Sequence, residues 1–322
     1  MKLDSGDFIR DLERWFKAYM AHIKGLSYSN NTIQLYNRAI EQFIEYSRGF
    51  QDEMTIKDVK GAYITGYLAY IDDIAKISGK KSLSGKGLSK STKQTYLKAI
   101  RGFFIFISDN NDDLYTFERY LKNIRIADSS KKEEKMEYLT EEEVGRLLST
   151  LEREKAKKDN YNIYRNALLI KLMLYAGLRI SEALKMKIGD FEDIDDKTYR
   201  IRLEAKGGKE QFAYIGKNLI EDELEYFKKI AELKKNEPIM ITRRGKLLNR
   251  QNAFKIVNRI YRQANIFKQG LHLLRHTLAM RLTKRGVDPI RIQKILRHSN
   301  INTTLIYARA EERDIIESLE NF

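Results

Sequence analysis

The sequence predicts a mainly α-helical protein of two domains, the second carrying a small antiparallel sheet. Three observations predict it. Apolar residues recur at helical spacing from the start of the chain to about Ile126. A polar stretch with no apolar side chain, Asp128–Lys135, then suits an interdomain linker. Over residues 191–215 the hydrophobic period changes to about two. The length of 322 residues agrees, giving roughly two domains at about 150 residues each. The 42% hydrophobic content is enough for packed cores.

The elements follow in order. Phe8, Leu12, Trp15, Phe16 and Tyr19 form the stripe of a first helix, and Ile33, Tyr36, Ile40, Phe43 and Ile44 that of a second, capped by Ser29 or Asn30. Two more span Val59–Ile74 and Thr92–Phe106. Between them, Ser78–Ser89 is rich in Gly, Ser and Lys and reads as a loop. It fails the phosphate-loop pattern, because Gly79 and Gly85 stand one residue too far apart and Gly87 follows Lys86. Contact of Lys80, Lys81 and Lys86 with a DNA backbone is the expectation. The first domain is placed at 1–126, the linker at 127–137 and the second domain at 138–322. Thr140 with Glu143 is a capping box ahead of Val144, Leu147 and Leu148. Ile163 begins an apolar helix ending at Gly177. Tyr199, Ile201 and Leu203, then Phe212, Tyr214 and Ile215, mark a meander broken at Asp193–Lys197 and Lys206–Lys209. Everything after Leu219 reads as helix.

Charge narrows the partner. Lys and Arg number 60 against 45 Asp and Glu, a net +15. Between Arg243 and Arg297 lie fifteen basic residues and one acid, Asp288. A solvated helix face alternates signs, so this segment reads as a footprint for phosphates, with Arg243, Arg244 and Arg297 as candidate DNA contacts. Nucleic acid is the first expectation and an anionic membrane the second. There is no cysteine, which excludes disulfide scaffolds, thiolate metal sites and cysteine nucleophiles. No run of 18 apolar residues occurs and the N-terminus carries Asp4, Asp7 and Asp11, so a cytoplasmic protein with no membrane span is expected.

The reactive candidates cluster. Of four histidines, His272, His276 and His298 fall in the basic segment. Three apart on one helix face, His272 and Arg275 can meet the same ligand, and a guanidinium fork suits two phosphate oxygens. A zinc site at His272 and His276 lacks the glutamate it needs, since Leu273 takes that place; no metal is expected. Arg179, with Glu182 three residues on, is either paired structurally or held toward an anion. Lys206 at a hairpin tip is either solvated or functional.

Four segments in order resolve these alternatives. Ala176–Leu184 (AGLRISEAL) resembles the first box of the tyrosine recombinases, the phage integrase family. His272–Ala279 (HLLRHTLA) resembles their second, Leu296–Tyr307 (LRHSNINTTLIY) their third, and Ala205–Glu210 (AKGGKE) their lysine hairpin. The resemblance covers 138–322; the preceding part is similar to the helical, SAM-like core-binding domain in size and pattern. It implies that Tyr307 attacks a DNA phosphodiester while Arg179 and Arg275 clamp the non-bridging oxygens. Lys206 protonates the leaving 5′ oxygen, His272 assists proton transfer, His298 bonds the phosphate, and Glu182 and His276 support the site. It also implies two domains closing as a clamp on DNA, a 3′-phosphotyrosine intermediate and no cofactor. The chemistry is sound in itself: a phenol of pKa about 10 needs proton removal and a positive surround to attack near neutrality, and preorganised arginines stabilise the charge that develops. Arg297 departs from the usual glycine of the third box, and Ala205 and Gln211 from the residues around the lysine.

The compact plan looks like the Xer recombinases, which resolve chromosome dimers. Expected partners are double-stranded DNA with an inverted-repeat core site and further copies of the chain, two per site and four in synapsis. A tail helix from about 309 would dock on a neighbour. A DNA-translocase activator is left open, with no motif showing it. A mobile-element or phage integrase, a tyrosine-type topoisomerase and a non-catalytic DNA-binding regulator are the other readings.

Overall fold

The computed structural model describes residues 1–50, 54–77, 87–127, 137–204, 210–298, 301, 303–305 and 307. Lys80, Lys81, Lys86, Lys206, most of the expected linker and the tail helix from about 309 lie outside the described residues. The chain divides into two compact units, Met1–Glu133 and Glu134–Phe322.

The first unit is helical: α1 (Phe8–Gly25), α2 (Asn30–Ser47), α3 (Gly61–Ile77), α4 (Lys90–Asn110) and a single turn, α5 (Glu118–Leu121). Short polar side chains start three of them. Asp7, Ser29 and Ser89 accept from the Arg10, Thr32 and Thr92 N–H groups at the heads of α1, α2 and α4, each worth about 1 kcal/mol. The apolar stripes meet inside. Trp15, Phe43, Phe103 and Phe104 are wholly buried. Phe43 stands edge-on to Tyr67 at 5.2 Å and to Phe104 at 5.6 Å, a geometry that adds about 0.5–1.5 kcal/mol per pair beyond burial.

The second unit holds α6 (Glu141–Lys157), α7 (Tyr161–Tyr175), α8 (Ile180–Ala183), β1 (Phe191–Asp193), β2 (Thr198–Glu204), β3 (Glu210–Gly216), α9 (Lys217–Glu225), α10 (Arg250–Gln263), α11 (His272–Lys284) and α12 (Pro289–Leu296). Thr140 and Glu143 close the capping box of α6 in both directions. The hub is α7: every residue from Arg165 to Leu174 is buried, as in a helix that is apolar all round. It packs on α6, α9 and α11. Of its two buried charges, Arg165 donates to the Asn162 side chain at 2.7 Å, and Lys171 meets the fully buried Glu223 of α9 at 2.7 Å, where Lys155 joins at 3.0 Å.

The sheet is an antiparallel meander in the order β1-β2-β3, with Phe191 opposite Ile201 and Tyr199 opposite Ile215. Tyr199, Ile201 and Leu203 point inward as expected. On β3 the inward residues are Ala213 and Ile215, while Tyr214 is 56% exposed; an aromatic with a polar tip tolerates the wet face. The stretch after Leu219 is not all helix. A π-turn at Tyr226–Ile230 and an irregular segment separate α9 from α10. That segment holds isolated bridges, Lys187 to Pro238 and Ile241 to Leu247. Pro238 cannot continue a helix, and Glu232 takes a φ of 50°.

Gly177 stops α7 and turns the chain toward Arg179. Its φ is +59°, and a Cβ there would come within 2.8 Å of Leu296 and 2.9 Å of Leu278. Gly177→Ala is expected to lose about 1–3 kcal/mol through left-handed strain and overpacking, read as a lower urea midpoint; an unchanged midpoint would show that the turn accommodates a side chain freely.

Candidate active site

Three segments bring the polar residues together: the turn from Gly177 to Glu182, one face of α11, and the chain that follows α12. Arg179 caps α8 in extended conformation. Its backbone N–H donates to Glu182 Oε2 at 2.8 Å and its Nη1 to Oε1 at 2.7 Å, while Nη2 donates to the Arg297 carbonyl at 2.6 Å. A third of its side chain stays open (37%). Arg275, one turn into α11, is 5% exposed. Its Nη1 donates to the Gly177 carbonyl and its Nη2 to that of Leu296, leaving further N–H donors of the guanidinium. Burial, then Arg179 and Arg297, lower its pKa to about 9; it remains a cation near neutrality.

Tyr307 packs its ring among Leu278, Ala279, Met280, Ile292 and Leu296 and is 2% exposed. Its Oη lies 2.6 Å from His276 Nδ1. Burial pushes the phenol up to about 12, with Arg275 pulling the other way. Burial, His272 and Arg275 push the His276 imidazole down to about 4. The phenol therefore keeps its proton and the imidazole is neutral. His298 is likewise lowered to about 4 by burial, Arg275 and Arg179. Its Nδ1 meets Thr304 Oγ1 at 2.9 Å, and its carbonyl accepts from Gln293. His272, at the head of α11, is lowered by burial, Arg250, Arg275 and Arg179. Burial opposes the Glu182 charge, yet the Arg179 N–H and the Arg297 and Arg179 guanidinium groups hold its carboxyl below the usual range.

Among the expected site residues, the structure thus gathers Arg179, Glu182, Arg275, His276, His298 and Tyr307, with His272 one turn from His276 at a ring separation of 6.3 Å. Arg243 and Arg244 stand exposed on the tight turn where Thr242 and Lys246 pair. Arg297, expected on a DNA face, turns its side chain inward to 6% exposure. Its Nη2 donates to the Gly177 carbonyl at 3.0 Å and to Glu182 Oε2 at 3.1 Å. Thr304, only 1% exposed, was not singled out in the sequence; a hydroxyl six residues past a histidine carries no local periodic signal.

A phenol beside an imidazole, under the field of converging guanidinium groups, can do one kind of chemistry well. It can bind an oxyanion and deliver a phenolate oxygen to it. That defines the class: a phosphodiester-handling domain with a tyrosine at its centre. Comparison with known proteins agrees. Residues 137–313 match the phage integrase family and residues 11–105 match the phage integrase SAM-like domain. The chain is 33% identical over 254 residues to tyrosine recombinase XerH of Campylobacter jejuni, covering 76% of this chain and 70% of that protein. It is 31% identical over 272 residues to XerH of Helicobacter pylori, covering 80% and 74%. Among solved structures, XerH bound to a palindromic difH substrate in a post-cleavage complex superposes with a TM-score of 0.82 at 25% identity, over 99% of this chain and 98% of that one. The chain belongs to the phage integrase family of tyrosine recombinases. No described helix is long and apolar enough to cross a membrane.

Proposed function

We propose that the chain cuts and rejoins double-stranded DNA at a specific site through a 3′-phosphotyrosine at Tyr307, in an Xer-like role. The observation that carries the reading is the Tyr307 phenol, 2.6 Å from His276 and under the charge of Arg275. Arg179 and Arg275 take the non-bridging oxygens of the scissile phosphate. The Tyr307 oxygen bonds to phosphorus, the bond to the 5′ oxygen breaks, and Lys206 supplies that oxygen with its proton. His272 accepts the phenolic proton; His298 donates to the phosphate. A 5′ hydroxyl reverses the steps, so the bond energy is kept and no ATP is needed.

The same reading makes 1–126 a core-binding domain and 138–322 the catalytic domain. Two copies occupy one inverted-repeat site and four form the synapse. Support comes from the substrate in the XerH structure, a palindrome, because a palindrome presents the same half-site to two identical subunits. The Arg243–Arg297 segment supplies the phosphate attraction.

The test is a nicked suicide duplex built from candidate inverted repeats of the source replicon, incubated without divalent metal. A covalent protein–DNA band whose adduct peptide contains Tyr307 is the expected result. Tight DNA binding with no band across all such repeats would favour a non-catalytic DNA-binding regulator.

A further inference from the structure

Arg297 stands where a glycine would be cheapest. It follows α12 with φ 54° and ψ 46°, the left-handed region that disfavours a side chain. Its guanidinium is nevertheless held in three ways. Nη1 donates to the Ile295 carbonyl at 2.9 Å, and Nη2 to the Gly177 carbonyl at 3.0 Å and to Glu182 Oε2 at 3.1 Å. Its own carbonyl accepts from Arg179 Nη2 at 2.6 Å. Nε, also buried, has no partner among the described residues. A side chain that loses solvent at a strained backbone position, and leaves one donor unmade, is held there by what it joins. What it joins are the two segments carrying Arg179 and His298.

We propose that Arg297 is a positioning residue: it ties the turn bearing His298 to the turn bearing Arg179 and Glu182, and so sets where the Arg179 fork stands. The link runs Arg297 to Glu182 to Arg179 on one side, and returns from Arg179 Nη2 to the Arg297 carbonyl on the other. The loop is closed, so neither segment shifts without breaking a charged hydrogen bond. Arg275 braces the same pair of segments at Gly177 and Leu296, but from α11. Arg297 is thus a second brace, and the one that reaches Glu182. A direct phosphate contact is the rival role, and it requires the guanidinium to leave Gly177 and Glu182.

The proposal rests on the recombinase reading, and its test separates the two. Arg297→Gly suits the backbone, so it removes the side chain without adding strain. One readout needs no DNA. Amide hydrogen exchange over 176–183 is expected to rise about tenfold in Arg297→Gly, because the turn loses a tie. The other is cleavage of the nicked duplex that traps the wild type. The single-turnover rate is expected to fall about tenfold, since a misplaced fork costs reaction and not affinity, with DNA affinity within about twofold of wild type. The pH profile marks the Glu182 link. Glu182 faces Arg179, Arg297 and the charge of Arg275. Losing one cation raises its pKa, so the acid limb of the cleavage profile moves to higher pH in Arg297→Gly. Arg297→Lys keeps the charge and holds that limb near its wild-type position. Unchanged exchange with a wild-type cleavage rate overturns the proposal. So does a variant that loses affinity but cleaves normally once bound, which assigns the phosphate contact instead. Wild type judges the recombinase reading by its own adduct, and the exchange readout judges Arg297 whether or not that adduct forms.

Discussion

Tyr307→Phe is expected to bind DNA as wild type does and to form no covalent adduct. The cleavage rate should fall at least about 10⁴-fold, to the limit of detection, because no second nucleophile stands in for a lost one. The ring itself keeps its place among Leu278, Ile292 and Leu296, so the fold survives. What the variant loses is the bond to His276 Nδ1, leaving an imidazole nitrogen unpaired in a part-buried site at a cost of about 1 kcal/mol. Denaturing gels on the nicked duplex give the adduct, and urea melts give the stability. An adduct that persists in Tyr307→Phe would move the nucleophile to another hydroxyl and dismantle the mechanism. Lost DNA affinity would show instead that the phenol is structural.

Arg275→Ala has the second largest effect, and it strikes stability and chemistry together. The guanidinium bonds the buried Leu296 carbonyl and shares that of Gly177 with Arg297. Their loss with the cavity is expected to destabilise by about 2–4 kcal/mol. Cleavage is expected to fall by about 10³-fold, the scale of removing one preorganised donor from a developing oxyanion. Arg275→Lys separates the two roles. A lysine keeps the charge but cannot serve both carbonyls in the fork geometry, so it should recover part of the stability and little of the rate. A lysine variant cleaving at the wild-type rate would show that charge alone suffices. An alanine variant as stable as wild type would show that the carbonyl bonds contribute nothing.

Local chemistry was legible in the sequence wherever it is written within a few residues. Thr140 and Glu143 announce the start of α6, Ser29 caps α2, and Tyr199, Ile201 and Leu203 give the inward face of β2. Errors arose where local composition and tertiary need diverge. Tyr214 reads as an inward strand residue by hydrophobicity and faces out. The charged stretch after Glu225 resembles a solvated helix, yet the chain unwinds there to bring Pro238 beside Lys187. The site shows the same divide. The motif residues could be named through the family resemblance, but the bond between His276 and Tyr307 spans 31 positions, and no periodicity reports it. Arg297 stood out by its charge, which suggests a phosphate; its burial, which gives it Glu182 instead, is decided by the turn after α12.

The resting state of Tyr307 bears on fidelity. Fifteen basic residues between Arg243 and Arg297 attract phosphates without regard to sequence, so on the proposed function most of the chain's encounters are with the wrong DNA. At those encounters the phenol is sealed among aliphatic side chains, with its pKa raised to about 12 and its neighbour His276 lowered to about 4. Both shifts keep the proton on the phenol. On that same reading discrimination begins before any base is read: random contact leaves the strand whole, and cleavage waits for an arrangement that draws the tyrosine out to a clamped phosphate.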